Sequence, residues 1–264
     1  MALVCVGSAH GAPGATTLAL LAAGCWPRPA VLVEADPGGG VLATRYGLGR
    51  SPGLADLASA VDNRAAPSTL WAAAQALPGG LGAVVAPESG EITAGILADV
   101  GPGLAAWCRR LDEVDVVVDC GRFTAGAPTV GLTGAADVVM VVVRPVADAL
   151  YPAAHRVRAL ARQAPRAVVG LVLVGSRPYG REEIGAQLGV EVLGVVEDDV
   201  RAAGMLGTGG TARGLRRSAL VRSVAGLVDA VAARLDLPGP GGERSPTGSL
   251  AAAVANRAAG GEWS

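Results

Sequence analysis

Gly7-Ser8-Ala9-His10-Gly11-Ala12-Pro13-Gly14-Ala15-Thr16-Thr17 follows the apolar run Ala2–Val6 and leads into the alanine- and leucine-rich stretch Thr16–Cys25. The short β-branched run reads as a strand, and the stretch behind it has helical length. A glycine-rich turn between strand and helix aims backbone N–H groups and the positive end of the helix at one point. Gly11, Ala12, Pro13, Gly14, Ala15, Thr16 and Thr17 are therefore candidates for holding phosphate. The Thr16 hydroxyl sits where it would reach a Mg²⁺ ion bridging two phosphates. Glycine is common here, at 39 of 264 residues, so the turn needs support from elsewhere in the chain.

Two other strand ends supply that support. Val33-Glu34-Ala35-Asp36-Pro37 closes the run Ala30–Val33 in acid, and Val116-Val117-Val118-Asp119-Cys120-Gly121 closes Val114–Val118 the same way. Carboxylates beside a phosphate loop orient water or hold magnesium through its water shell. Each acid taken alone suits an ordinary helix cap equally well.

Further apolar runs are Val138–Val143 and Val168–Val174, with weaker ones at Leu81–Val85 and Val190–Val196. Stretches of helical character lie between and after them, at Pro67–Leu77, Leu104–Leu111, Ala147–Gln163, Arg181–Leu188 and Leu215–Leu235. In the last, Leu220, Val224, Leu227, Val231 and Leu235 recur at steps of three and four. This alternation predicts an α/β fold: a three-layer, doubly wound, mostly parallel sheet with helices on both faces. Ligands of such sheets bind beyond the carboxyl ends of the strands. One domain is expected over residues 1–237. Pro238-Gly239-Pro240-Gly241-Gly242 then opens a Pro/Gly/Ala-rich tail, 238–264, expected to be flexible.

Composition removes several chemistries. All 22 basic residues are arginine, so there is no lysine Schiff base, lysine general base or phosphate-loop lysine. A net charge of −1 argues against a surface that grips nucleic acid all round. The balance is uneven, however. Residues 149–181 and 201–228 carry arginines and no acid, which suits either a basic face for non-specific DNA or ordinary solvated helices. Mean hydropathy is +0.43, yet no eighteen-residue apolar run is free of charge, proline or several glycines, so no spanning helix is expected. The N-terminus has no basic lead or apolar h-region of a signal peptide. Cys5, Cys25, Cys108 and Cys120 form no CxxC pair, which suits buried thiols in a reducing cytoplasm.

The three strand ends together resemble the MinD/ParA group of P-loop ATPases. His10-Gly11-Ala12-Pro13-Gly14-Ala15-Thr16-Thr17 is similar to that family's deviant Walker A motif, K-G-G-x-G-K-T-T. Glu34-Ala35-Asp36-Pro37 resembles its D-x-D-P stretch, and Asp119 its Walker B acid. Ala136–Pro145 and Leu193–Asp199 extend the likeness over about residues 1–236. Within the group, the overall pattern is most similar to actinobacterial CpaE/TadZ-like proteins, localisation factors of pilus assembly.

The resemblance implies ATP or ADP with Mg²⁺ as cofactor, Asp36 orienting the attacking water, and Thr16 and Asp119 serving the metal. It also implies a nucleotide-gated homodimer, protein partners in a positioning or secretion machine, and a cytoplasmic protein recruited to membrane, pole or nucleoid. Three departures qualify it. The family's signature lysine falls on His10, its Walker lysine on Ala15, and its adenine-contacting asparagine near Gly175-Ser176. Losing one charge-assisted donor aimed at a transition state costs about 3–4 kcal/mol, or roughly 10²–10³ in rate. Hydrolysis is therefore expected to be impaired or absent, and a nucleotide-independent pseudo-ATPase adaptor is the alternative. A dethiobiotin-synthetase-like ligase needs the same lysine and falls with it. Arg45, Arg50 and Arg122 are the arginines placed to compensate, although a guanidinium fork does not fill the space of an ammonium. His10 has no Ser or Cys partner that would make a triad.

Overall fold

The computed structural model describes residues 1–11, 13–78, 80–208, 215 and 217–237; the expected tail at 238–264 lies outside them. Among the described residues one sheet contains eight strands: β1 (Leu3–Ser8), β2 (Ala30–Glu34), β3 (Gln75–Ala76), β4 (Gly82–Val84), β5 (Asp115–Arg122), β6 (Val138–Val143), β7 (Val168–Val174) and β8 (Val192–Val196). Their spatial order is β3-β4-β2-β5-β1-β6-β7-β8. Every neighbouring pair is parallel except β3 with β4. The chain leaves β1 toward β2 on one side and later reaches β6 on the other. That reversal opens a crevice at the carboxyl end of the central strands, the usual ligand position in such sheets.

Because strand side chains alternate, a strand covered on both faces must be apolar at every position. In β6, Val139, Val141 and Val143 enter one core layer while Val138, Met140 and Val142 enter the other. The first layer is covered by α3 (Leu54–Asp62), α4 (Thr69–Ala73), α5 (Gly90–Cys108), α6 (Val130–Ala135), α7 (Ala147–Gln163) and α8 (Arg181–Leu188). The second is covered by α1 (Ala15–Cys25), α2 (Leu42–Tyr46), α9 (Val200–Thr208) and α10 (Ala219–Arg234). The three-layer expectation holds. The two acid-free stretches do not merge into one basic face, since α7 and α10 pack on opposite sides of the sheet. Arg213 and Arg216 lie outside the described residues.

Three expected helices differ, the last of them running over Ala219–Arg234 with Ser218 as its N-cap where Leu215–Leu235 is expected. Over Pro67–Leu77 only Thr69–Ala73 is helical, and the chain then turns into edge strand β3, where Leu77 N–H donates to the Leu81 carbonyl at 2.9 Å. Leu104–Leu111 is the end of a helix that starts at Gly90, capped by the Ser89 hydroxyl, which accepts from Ile92 N–H at 3.4 Å. Gly101-Pro102-Gly103 inside it hides the helix from propensity reasoning. Tertiary packing overrides that: α6 lies so close that a Cβ on Gly131 would sit 2.8 Å from Pro102 N. Helices α2 and α6, at five and six residues, are too short to show a period in sequence.

Asp115 starts β5 fully buried and joins three segments. Its Oδ1 accepts from Ala2 N–H at 2.7 Å and its Oδ2 from Trp26 Nε1–H at 2.8 Å, with Arg28 Nε 3.6 Å away. Removing the carboxylate leaves buried donors without acceptors. We expect Asp115→Ala to lower the unfolding free energy by about 3 kcal/mol in urea titration with an unchanged m-value. A loss well under about 1 kcal/mol would show that the carboxylate does not tie these segments together.

Candidate functional site

The turn between β1 and α1 carries two glycines in the backbone conformation that anion-binding nests use. Gly11 (φ +67°) and Gly14 (φ +100°) occupy the left-handed region, where a side chain is disfavoured. A Cβ placed on Gly11 would meet nothing within 4 Å, so the turn is open there. Gly14 is the N-cap of α1 and offers no capping side chain, leaving the first-turn N–H groups without acceptors inside the helix. Pro13 and Ala15 are buried, while Gly14, Thr16 and Thr17 are half-buried. Ala12 lies outside the described residues, and His10 is exposed.

Register brings the acids to this turn. Asp119 is paired with Val6 of β1 on one side and with Glu34 of β2 on the other. It is 1% exposed. Oδ1 accepts from Gly121 N–H at 3.1 Å, whereas Oδ2 is buried with no hydrogen-bond partner among the described residues. Burial dominates its proton affinity and pushes the pKa up to about 6. The nearby Thr16 hydroxyl and the Gly121 N–H pull it down, and the charges of Asp36 and Glu34 add to the rise. Thr16 thus lies beside Asp119 without completing a hydrogen bond to Oδ2. An orphaned carboxylate oxygen next to a hydroxyl, at the positive end of a helix, is a donor pair fit for Mg²⁺. No group of three or more His, Cys, Asp or Glu suited to a metal occurs among the described residues, so phosphate and water oxygens would have to complete the shell.

Glu34 and Asp36 take different roles. Glu34 is buried, with Oε1 accepting from Val41 N–H (2.6 Å) and Leu42 N–H (3.0 Å) and Oε2 from Ala86 N–H (2.9 Å). Burial raises its pKa and those three backbone bonds oppose the rise. Glu34 therefore organises α2 and the segment after β4, the structural option open for it in sequence. Asp36 Oδ1 accepts from Gly38 N–H at 2.7 Å, and the carboxyl lies against Gly121. A Cβ on Gly121 (φ +61°) would sit 2.0 Å from Asp36 Cγ. Only glycine there lets Asp36 approach, two residues beyond Asp119. The sheet thus gathers the turn, Thr16, Asp119 and Asp36 in one place.

The three arginines expected near the site separate. Arg50 pairs with Glu88 at 2.7 Å, and Arg45 directs its charge toward Glu34. Arg122 Nη2 donates to the Gly11 carbonyl at 3.4 Å, on the turn itself. A further pair has no counterpart among the sequence expectations. Arg144, after β6, binds Asp198, after β8, through contacts of 2.7 and 3.3 Å. It edges a cavity of about 150 Å³ beside the turn, lined also by Pro13, Gly14, Thr17, Leu18, Val174 and Leu220. The sequence signal for it is charge immediately beyond two strands on the same side of the sheet. Gly175, near which the family's asparagine falls, follows β7 close to Asp198.

No protein-family model matches the sequence, and no curated protein matches it. Solved structures do share its architecture. A ParA family ATPase from Chlorobium tepidum superposes with a TM-score of 0.70 at 19% identity, covering 85% of this chain and 97% of that one. The septum site-determining protein MinD from Pyrococcus horikoshii, complexed with Mg-ADP, gives 0.67 at 15%, covering 87% and 95%. An ATP complex of a McdA variant from Cyanothece gives 0.63 at 14%, covering 90% and 97%. Within the described residues no helix is long and apolar enough to cross a membrane. The chain has the fold of the MinD/ParA ATPases.

Asp119 makes stability depend on pH. Its carboxyl keeps a proton up to about pH 6 when folded, against an ordinary 3.8. Between those values the folded state binds more protons than the unfolded one, so stability falls as pH rises through the window. In metal-free buffer at about pH 7.5, Asp119→Asn should raise stability by up to about 3 kcal/mol, with the gain fading toward about pH 4. Thermal melts in EDTA across roughly pH 4–8 measure this, and a pH-independent gain would refute the buried-charge account.

Proposed function

We propose that this chain is a MinD/ParA-like nucleotide-binding positioning or assembly factor whose ATP hydrolysis is impaired or absent. The observation that carries the reading is the orphaned Asp119 Oδ2 beside Thr16, at the uncapped end of α1. Gly11, Ala12, Gly14, Ala15, Thr16 and Thr17 would hold the phosphates of ATP or ADP through backbone N–H groups and the Thr16 hydroxyl, with Pro13, which has no N–H, shaping the turn between them. Thr16 and Asp119 would hold Mg²⁺, which supplies charge neutralisation between phosphates. Asp36 would orient water, if any turnover persists. Position 15 is alanine, so the bridging cation that hydrolysis in this fold relies on is missing there. Its loss removes transition-state charge stabilisation but leaves the backbone cradle for ground-state binding. The neighbouring MinD and McdA structures that contain Mg-ADP and ATP support a nucleotide ligand for this architecture.

The role we infer is that of a homodimer gated by nucleotide, working with protein partners of a localisation or secretion machine. It would be cytoplasmic and recruited to membrane, pole or nucleoid, in the manner of CpaE/TadZ-like proteins. Non-specific DNA contact would then rest on one of the two separate basic faces. Ala15 together with exposed His10 also supports a second reading, a pseudo-ATPase adaptor that oligomerises without nucleotide.

Calorimetric titration with Mg·ATP and Mg·ADP, run beside sedimentation velocity, separates the two. The first reading expects micromolar-range binding and an ATP-dependent dimer; nucleotide-blind oligomerisation without binding heat would establish the adaptor instead. Ala15→Lys should tighten Mg·ATP binding about tenfold or more, since a charge-assisted contact to phosphate is worth about 1.5–3 kcal/mol. No gain from the added lysine would show that the turn is not a phosphate cradle.

A further inference from the structure

We propose that Arg122 supplies the phosphate-binding cation that Ala15 lacks, approaching the turn from the neighbouring strand. The inference rests on the nucleotide reading above and names the residue that makes it electrostatically workable. A phosphate entering this site faces Asp119 and Asp36, and the turn carries no lysine. The helix end contributes only about half a positive charge. Beside the Mg²⁺ that Thr16 and Asp119 would hold, a further cation would strengthen phosphate binding, and the candidates are arginines.

Geometry selects one of them. Strand β5 does not stop at Asp119; after a register shift its pairing with β1 resumes at Ser8 opposite Arg122. Phe123 N–H then donates to the Ser8 carbonyl at 2.8 Å. The Phe123 ring covers Gly7 so closely that a Cβ there would lie 2.8 Å from it. The Arg122 backbone is therefore pinned beside the turn, while its side chain stays exposed. Its one described contact, to the Gly11 carbonyl at 3.4 Å, is long for a hydrogen bond and uses a single guanidinium N–H. The other donors of the fork have no partner among the described residues. Arg50 and Arg144, by contrast, hold carboxylates at 2.7 Å. The Asp119 oxygen without a donor provides an independent sign of a ligand in the same crevice.

In this arrangement the Gly11 carbonyl is a resting partner, and a diphosphate or triphosphate oxygen replaces it. The fork then reaches phosphate from the β5 side, so the space of a Walker lysine at position 15 need not be filled. Arg122 is a binding residue for a nucleoside diphosphate or triphosphate carried with a divalent cation. A ligand that ends at the α-phosphate should gain little from it.

Calorimetry on the full chain tests this with Mg·ADP and with AMP as probes. We expect Arg122→Ala to weaken Mg·ADP about tenfold or more and leave AMP binding within about twofold. Arg122→Lys should retain part of the affinity, and Arg50→Ala, whose guanidinium is engaged by Glu88, should bind as the parent does. Adding Ala15→Lys to Arg122→Ala should restore Mg·ADP affinity, a result that a merely misfolded variant would not give. If the parent binds Mg·ADP and Arg122→Ala binds it equally well, the proposal is wrong and the nucleotide reading stands. If the parent does not bind Mg·ADP, the nucleotide reading fails and takes this one with it.

Discussion

Val6 lies opposite Asp119 in the parallel pairing of β1 with β5, and this one register relation sets the chemistry of the whole carboxyl end. A shift by one residue would turn Asp119 to the other face of the sheet and bring an apolar side chain to the turn. The pairing is over-determined by burial on both faces. Val4, Val6 and Val117 enter one layer, and Leu3, Cys5, Val116 and Val118 the other. At the far end of β5, Asp115 fixes the same register by binding Ala2 N–H. The site depends on a packing relation spread over the core more than on any contact within itself.

Within that frame the acids are sorted by what reaches them. Glu34 receives three backbone N–H groups and holds α2 and the segment after β4 in place. Asp36 receives one and stays half-buried at the crevice. Asp119, deeply enclosed at the same crevice, keeps one oxygen unsatisfied. The charges of Asp36 and Glu34 add to the cost of charging Asp119, which is why a cation, whether a divalent ion or a guanidinium, is the natural complement. His10 and Ala15 stand where the MinD/ParA pattern has lysine, so no lysine of the turn itself provides that complement.

Much of the fold was legible because valine-rich strands buried on both faces leave a strong local signal. Val138–Val143 and Val168–Val174 have the expected bounds, as do the helices Ala147–Gln163 and Arg181–Leu188. The failures share a cause. Helix α5 contains Gly101-Pro102-Gly103, which local propensity reads as a break, yet the close approach of Gly131 to that backbone stabilises it in place. Strand β3 exists only because β4 offers an edge to pair with. Likewise, which of Arg45, Arg50 and Arg122 meets the turn is a question of where β5 ends. No window of sequence contains that answer.

Layer architecture, the glycine-rich turn, the two aspartates at strand ends and the lack of any lysine could be read from the chain alone, because each is a property of residue type and short-range order. Only folding settled that Glu34 is structural while Asp119 keeps one oxygen without a donor among the described residues, that Asp36 rests on Gly121, and that Arg122 reaches Gly11. Those outcomes follow from strand order and register, which bring together residues far apart along the chain and depend on burial summed over the entire sheet.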